Sequence, residues 1–176
     1  MPLDKKNTEL EVARKFLDLY NRQFNTHFKV LSSSDHPDVE CVDECTEAHL
    51  SLEIRLVEDL PGWMEHVLAG KPRRVSLHTA TTAAEWTHDV VPLLRHALKD
   101  KLLSNYGPHT ALVMKDVTPL LSPSDWEFFK VHYTSDLLSG KEHNYGAGIW
   151  VICTDQSPWP NTNVLFCLCE PGSSGR

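Results

Sequence analysis

The chain has 176 residues, 41% hydrophobic and 23% charged, which is typical of one compact domain with a sizeable core. A formal net charge of -7 argues against a broadly basic surface for nucleic acid, but it leaves open a local basic patch or a metal ion that holds phosphate groups. No apolar run approaches the roughly 18 residues of a membrane span, and the polar start is unlike a signal peptide. The sequence therefore predicts a cytoplasmic protein with no membrane partner.

The first third of the chain predicts one helix and three strands within a single domain over residues 1–170. Apolar residues recur at helical spacing over Thr8–Phe24, which indicates an amphipathic helix. Three runs of strand character follow, at His27–Leu31, Val39–Val42 and Ala48–Val57. Short connections between consecutive strands favour an antiparallel meander.

The rest of the chain alternates helices and strands, which predicts an α/β fold with a mixed sheet. In order, we expect a short helix at Trp63–Leu68, a strand or basic loop at Arg73–Leu77, a helix at Ala83–Tyr106, a strand at Thr110–Lys115, a helix that starts within Ser122–Asp125 and runs to about Leu138, and strands at Ala147–Cys153 and Asn163–Cys169. The runs Thr110–Lys115 and Ala147–Cys153 are apolar without alternation, so they are predicted to be central strands buried on both faces. Residues 171–176 are predicted to be a disordered tail.

The five cysteines suggest a zinc or thiol-redox protein, which we consider the weakest of the functional hypotheses. Cys41 and Cys45 are spaced like half of a zinc site, but no second pair has finger-like spacing. An odd number of cysteines without a secretion signal favours reduced thiols over a disulfide framework.

Two carboxylates are the strongest candidates for chemistry. Strand side chains alternate, so Glu53 and Arg55 point to one face of the third strand while its apolar neighbours point to the other. If Asp38 opens the neighbouring strand, its carboxylate lies beside that of Glu53. The repulsion between them predicts a raised pKa for at least one of the two, and Mg²⁺ would relieve it through oxygen ligands. The alternatives stay open, because Pro37-Asp38 is also a common turn and Glu53 with Arg55 also suits a cross-strand ion pair.

These residues and the order of the elements resemble the PD-(D/E)XK restriction-endonuclease-like superfamily over about residues 8–155. The resemblance implies a restriction-endonuclease-like core, in which a three-strand meander is followed by helix, strand, helix, strand and strand. It implies a single nuclease-like domain that cleaves phosphodiester bonds in DNA or RNA. Asp38 and Glu53 would bind Mg²⁺ or Mn²⁺, together with the carbonyl of Ile54.

The chain departs from that family at the third motif position, where Arg55 replaces the usual lysine. Arginine can hold a phosphate, but it is a poor proton carrier. In some branches of the family the lysine lies on the following helix, which implies Lys101 here, with Lys99 as second choice. Many members also carry a metal-facing glutamate on the first helix, which implies Glu11 or Glu9. Favourable interaction with the helix dipole is the simpler explanation for each of these helical charges.

The replacement of the motif lysine by Arg55 supports a second hypothesis for the function of the chain. The acidic balance and the missing lysine also suit a catalytically inactive relative that serves as an interaction or accessory protein. Nucleic acid is the expected partner of an active enzyme, and a homodimer or a partner protein is the alternative.

Overall fold

The computed structural model describes residues 5–57, 91–104, 106–116, 123–138, 145–155 and 162–172. The helices of this part of the chain are α1 (Lys5–Phe24), α2 (Val91–Leu102) and α3 (Pro123–Leu138), and its strands are β1 (Phe28–Ser33), β2 (Val39–Asp43), β3 (His49–Val57), β4 (Thr110–Asp116), β5 (Ile149–Asp155) and β6 (Thr162–Cys169). None of these described helices is both long and apolar enough to cross a membrane.

The six described strands form one mixed sheet, whose spatial order follows the chain from β1 to β6. Strands β1, β2 and β3 are antiparallel neighbours, as the meander prediction requires. The pairs β3–β4 and β4–β5 are parallel, and β6 returns antiparallel to β5. Parallel neighbours need a long crossover connection, and α3 supplies it between β4 and β5. The predicted α/β class with a mixed sheet is therefore confirmed.

Helices cover both faces of the sheet. Helix α1 packs on one face, where its buried residues Val12, Ala13, Phe16 and Leu17 join a cluster with Leu52 and Ile54 of β3. Helices α2 and α3 pack on the other face around a cluster that contains Leu98, Trp126, Phe129 and Val57. Side chains of a strand alternate between faces, so Glu53 and Arg55 share the α2–α3 face with Val57.

The strands predicted to be central are central. In β4 the residues Ala111–Met114 are fully buried, and in β5 the residues Ile149–Cys153 are no more than 1% exposed. Each of the two strands lies between two neighbours in the sheet. A strand covered by helices on both faces has no polar side, which explains why these runs lack alternation.

Several predicted boundaries need correction. Strand β5 begins at Ile149, because Gly148 at φ +92° donates its N–H to the Tyr145 carbonyl and places Ala147 in a turn. Helix α2 ends at Leu102, before the predicted end at Tyr106, and its described part starts at Val91. The predictions for Trp63–Leu68, Arg73–Leu77, residues 83–90 and residues 173–176 lie outside the described residues.

Asp43 holds the hairpin between β2 and β3. Its Oδ1 atom accepts the N–H groups of Cys45 and Thr46, both at 2.9 Å, and its Oδ2 atom accepts the N–H of His27 at 2.7 Å. These hydrogen bonds, that from His27 first, lower the pKa of Asp43 to about 2. The carboxylate therefore links β1, the turn and β2, and it supports the register in which β2 pairs with β3.

The packing of α3 gives a direct test of the fold. Phe129 is fully buried, whereas Val131 on the same helix is 62% exposed. We expect Phe129→Ala to lower the free energy of unfolding by about 3–5 kcal/mol, because it leaves a cavity among packed side chains. The matched control Val131→Ala should change it by no more than about 0.5 kcal/mol. Urea denaturation followed by circular dichroism measures both, and equal effects would contradict this placement of α3.

Candidate active site

The register of β2 against β3 brings Asp38 and Glu53 together. Val39 pairs with Leu52 in this antiparallel ladder, and one further step of the same register sets Asp38 opposite Glu53. The Oδ2 atom of Asp38 accepts the N–H of Ile54 at 2.7 Å, which anchors the carboxylate beside β3. Both acids are buried, with Asp38 at 7% and Glu53 at 0% exposure.

Burial raises the pKa of Asp38 above its ordinary value. The negative charges of Glu53 and Glu9 raise the pKa further, while the hydrogen bond from Ile54 and the positive charge of Lys101 oppose the shift. The repulsion predicted from the sequence thus contributes, but loss of water around the carboxylate is the larger cause.

Lys101 reaches the same point from the last turn of α2. Its Nζ atom forms an ion pair and a hydrogen bond with Glu53 Oε1. The second oxygen of this carboxylate, Oε2, is buried and has no hydrogen-bond partner among the described residues. Lys99, the second choice, is exposed on α2. Of the two predicted lysines, the structure brings Lys101 to the carboxylates.

Arg55 lies two residues beyond Glu53 on the same face of β3. Its side chain is half-buried, and its Nε atom is buried without a hydrogen-bond partner among the described residues. Ile54, the predicted carbonyl ligand, contributes its N–H to Asp38 in this structure. A role for its carbonyl stays a prediction.

The structure separates the two candidate glutamates of α1. Glu11 is exposed, and the adjacent Val12 and Ala13 pack into the core, so Glu11 is not brought to the site. Glu9 is the one whose charge acts on Asp38. Its side chain is only 12% exposed, and it pairs with Lys5 at 3.3 Å. Two positions apart on an α-helix, these glutamates point about 200° away from each other. The sequence alone does not tell which of them faces the carboxylates.

Two tyrosines complete the site, and the sequence analysis did not predict them. The rings of Tyr106 and Tyr145 stack with centroids 5.1 Å apart. The Tyr145 hydroxyl donates to the Lys101 carbonyl at 3.1 Å, which ties the end of α2 to the segment before β5. Burial first, and then the Glu53 carboxylate, raise the pKa of Tyr106 to about 12. Burial raises the pKa of Tyr145 as well.

A glycine makes this tyrosine pair possible. A Cβ atom at Gly146 would collide with the backbone of Pro108, so the two segments approach closely only because residue 146 has no side chain. Gly146, next to Tyr145, is the signal in the sequence that could have indicated a close contact here. It does not reveal which segment of the chain makes that contact.

An open cavity of about 350 Å³ adjoins the two carboxylates. His36, Pro37, Ser104 and Tyr106 line it, and we call it the His36–Tyr106 cavity. Two of these residues flank site residues in the chain, since Pro37 precedes Asp38 and Ser104 follows the end of α2. The cavity therefore opens beside the site.

The described residues contain no group of three or more His, Cys, Asp or Glu that could hold a metal ion, so the candidate ligand set is the pair of carboxylates. Cys41 is buried on β2 and Cys45 is exposed in the turn that follows, and all five cysteines are free thiols. Comparisons of the chain with protein-family models, curated proteins and solved structures found no match.

The raised pKa of Asp38 predicts how stability depends on pH. Its protonated form favours the folded state, so its contribution is full below the ordinary pKa of 3.8 and is lost as the pH rises through the folded-state pKa. We expect the free energy of unfolding of the wild type to fall, relative to that of Asp38→Asn, as the pH rises from about 4 towards neutral. Urea denaturation across this pH range, without divalent cations, measures the difference.

Asp43→Asn is the matched control, with the opposite sign. The pKa of Asp43 is lowered to about 2, so its ionised carboxylate stabilises the fold above pH 3.8 and loses this effect as the pH falls towards 2. Parallel pH curves for the wild type and Asp38→Asn would show that burial does not perturb Asp38.

Proposed function

We propose that this chain is a metal-dependent nuclease that hydrolyses phosphodiester bonds in DNA or RNA on a restriction-endonuclease-like core. One observation carries the proposal: the buried Asp38, which directly precedes β2, interacts electrostatically with Glu53 of β3 and Lys101 of α2, and these two form an ion pair. Buried charges are costly, and clusters of them occur preferentially at functional sites. The mixed sheet with helices on both faces is compatible with the resemblance noted in the sequence.

The pair of carboxylates fits a hard divalent cation such as Mg²⁺ or Mn²⁺. Glu53 Oε2 is a buried oxygen without a hydrogen-bond partner in the described part of the chain, and the Ile54 N–H, one residue further along β3, holds the Asp38 carboxylate. Proteins often bind Mg²⁺ through only one or two carboxylates, with water and substrate phosphate as the remaining ligands. The carbonyl of Ile54 is the further predicted ligand. A bound Mg²⁺ would polarise the phosphate and lower the pKa of a coordinated water.

The two cations of the site have different parts in this proposal. Lys101 balances the charge of Glu53 in the free protein, and its ammonium group can move to stabilise the charge that develops on the phosphate oxygens. Arg55 has a guanidinium group, which suits a bidentate phosphate contact and not proton transfer. Lys101 is therefore the residue we assign to the missing motif lysine.

The ion pair itself supports the alternative, a catalytically inactive interaction or accessory protein. Lys101 satisfies one oxygen of Glu53 without any metal ion. In an inactive relative this pair would be purely structural. Metal binding separates the two proposals, because the structural ion pair predicts no response to Mg²⁺.

The first test is thermal stability with metal ions. A cation that binds only the folded protein should raise the melting temperature as its concentration rises, equivalent to about 2.7 kcal/mol at a hundredfold excess over Kd. Asp38→Asn and Glu53→Gln each remove one ligand charge and should abolish the shift at millimolar Mg²⁺ or Mn²⁺. Differential scanning fluorimetry gives the measurement.

Glu11→Gln is the control for that test, because Glu11 is exposed and away from the carboxylates. It should respond to metal like the wild type. If the wild type shows neither a melting shift nor cleavage of single- or double-stranded DNA or RNA, the nuclease proposal fails and the inactive relative replaces it.

The second test separates Lys101 from its neighbour on the helix. Lys101→Met removes the amine and leaves Glu53 buried without its partner, so the metal-free protein should lose stability. The metal-induced melting shift should grow, since the cation no longer competes with Lys101. Cleavage, measured with labelled oligonucleotides at saturating Mn²⁺, should fall by about 100-fold or more.

Lys99→Met removes the same charge from an exposed position on α2. It should leave both cleavage and the metal response near those of the wild type. Equal losses in the two variants would mean that only the net charge of α2 matters, which would overturn the assignment of Lys101.

A further inference from the structure

The His36–Tyr106 cavity has features that the proposed cleavage chemistry does not use. It is open to solvent, it lies beside the buried carboxylates, and its volume of about 350 Å³ falls within the usual range for small-molecule sites. Among the described residues, the lining includes no carboxylate, in contrast to the adjacent pair. The described lining of the cavity therefore differs in chemistry from the pair of carboxylates beside it.

We infer that this cavity binds the base of a nucleotide next to the reacting phosphate, so that the substrate is a nucleic acid with unpaired nucleotides at that position. This inference rests on the proposed nuclease function, and it adds the class of substrate.

The lining residues match the chemistry of a nucleobase. The imidazole of His36 and the phenol of Tyr106 offer ring surfaces, and aromatic rings bind bases of any sequence by stacking. The hydroxyl groups of Ser104 and Tyr106 interact with each other, and that of Tyr106 also with Glu53, so the ring surfaces are what the cavity offers to a base. The stack on Tyr145 holds the Tyr106 ring in place. A rigid ring loses little conformational entropy when a ligand binds.

The position of Tyr106 connects the cavity to the carboxylates. The same residue lines the cavity and lies close enough to Glu53 for that carboxylate to raise its pKa. Pro37, which also lines the cavity, is bonded directly to Asp38. A base in the cavity would thus place its own phosphate group at the candidate active site.

Stacking on a lining ring requires a base whose own face is free, which a base inside a continuous duplex does not offer. A base must leave the stack before it can enter the cavity, and this costs least when the nucleotide is already unpaired. The protein should therefore prefer single strands, or flaps and loops with unpaired bases, over continuous duplex.

Binding of oligonucleotides with a single abasic position tests the inference. The probe is a short fluorescein-labelled strand in which the abasic position is moved along the sequence, and fluorescence anisotropy is measured in Ca²⁺ to limit cleavage. We expect one position to weaken binding by about tenfold and the others by no more than about twofold. The intact strand should bind more tightly than its duplex.

Variants of the lining residues should remove this positional effect. His36 is exposed, so His36→Ala should fold normally, and together with Tyr106→Leu it should weaken binding of the intact strand and equalise the abasic probes. Leu103→Ala is the matched control, because Leu103 is 67% exposed and does not line the cavity. It should bind all probes like the wild type.

Cleavage by the wild type, assayed in parallel with Mg²⁺, separates the two proposals. Cleavage with a flat abasic profile, or with tighter binding of the duplex, overturns the base site and leaves the nuclease proposal intact. A positional abasic effect without cleavage or metal response overturns the nuclease proposal and supports the base site. Lining variants that bind every probe like the wild type also overturn the base site.

Discussion

A fully buried glutamate on a central strand is the constraint on which the rest of this site depends. Glu53 has 0% exposure and lies between β2 and β4, so its charge must be balanced from within the protein. Lys101 provides that balance from the end of α2, and the Tyr145 hydroxyl holds the Lys101 carbonyl. The buried charge on β3 is thus coupled to the position of α2, and the position of α2 is coupled to the segment before β5.

The balance is incomplete, and that is what makes the site chemically interesting. Two buried carboxylates face one ammonium group, Glu53 Oε2 has no hydrogen-bond partner in the described residues, and burial raises the pKa of Asp38. A protein optimised only for stability would replace such a cluster with apolar side chains, because buried ion pairs seldom repay their desolvation. An additional cation would resolve the imbalance, which is why metal binding is the property that tests the proposed function.

The spacing of apolar residues in the sequence was sufficient to predict the mixed sheet, and the short acidic motif was sufficient to predict the pair of acids. The apolar runs that became β4 and β5 have no polar face, so only a doubly covered central strand suits them. Asp38 and Glu53 were identifiable because alternation sets the face of Glu53 and because a short hairpin leads from one strand to the other. The mixed sheet, its meander and the two acids were accordingly predictable, whereas the boundaries of β5 and α2 depended on a glycine turn and on a helix end.

By itself, the sequence determined the class of fold and the candidate acids, because these follow from local periodicity and from residue chemistry. Tertiary structure alone decided which charges meet them. Lys101 was distinguished from Lys99, and Glu9 from Glu11, by the rotation of each helix against the sheet, which depends on packing far along the chain. The Tyr106–Tyr145 pair required the close approach of two distant segments at Gly146. Contacts of this kind are set by three-dimensional packing, and no local pattern encodes them.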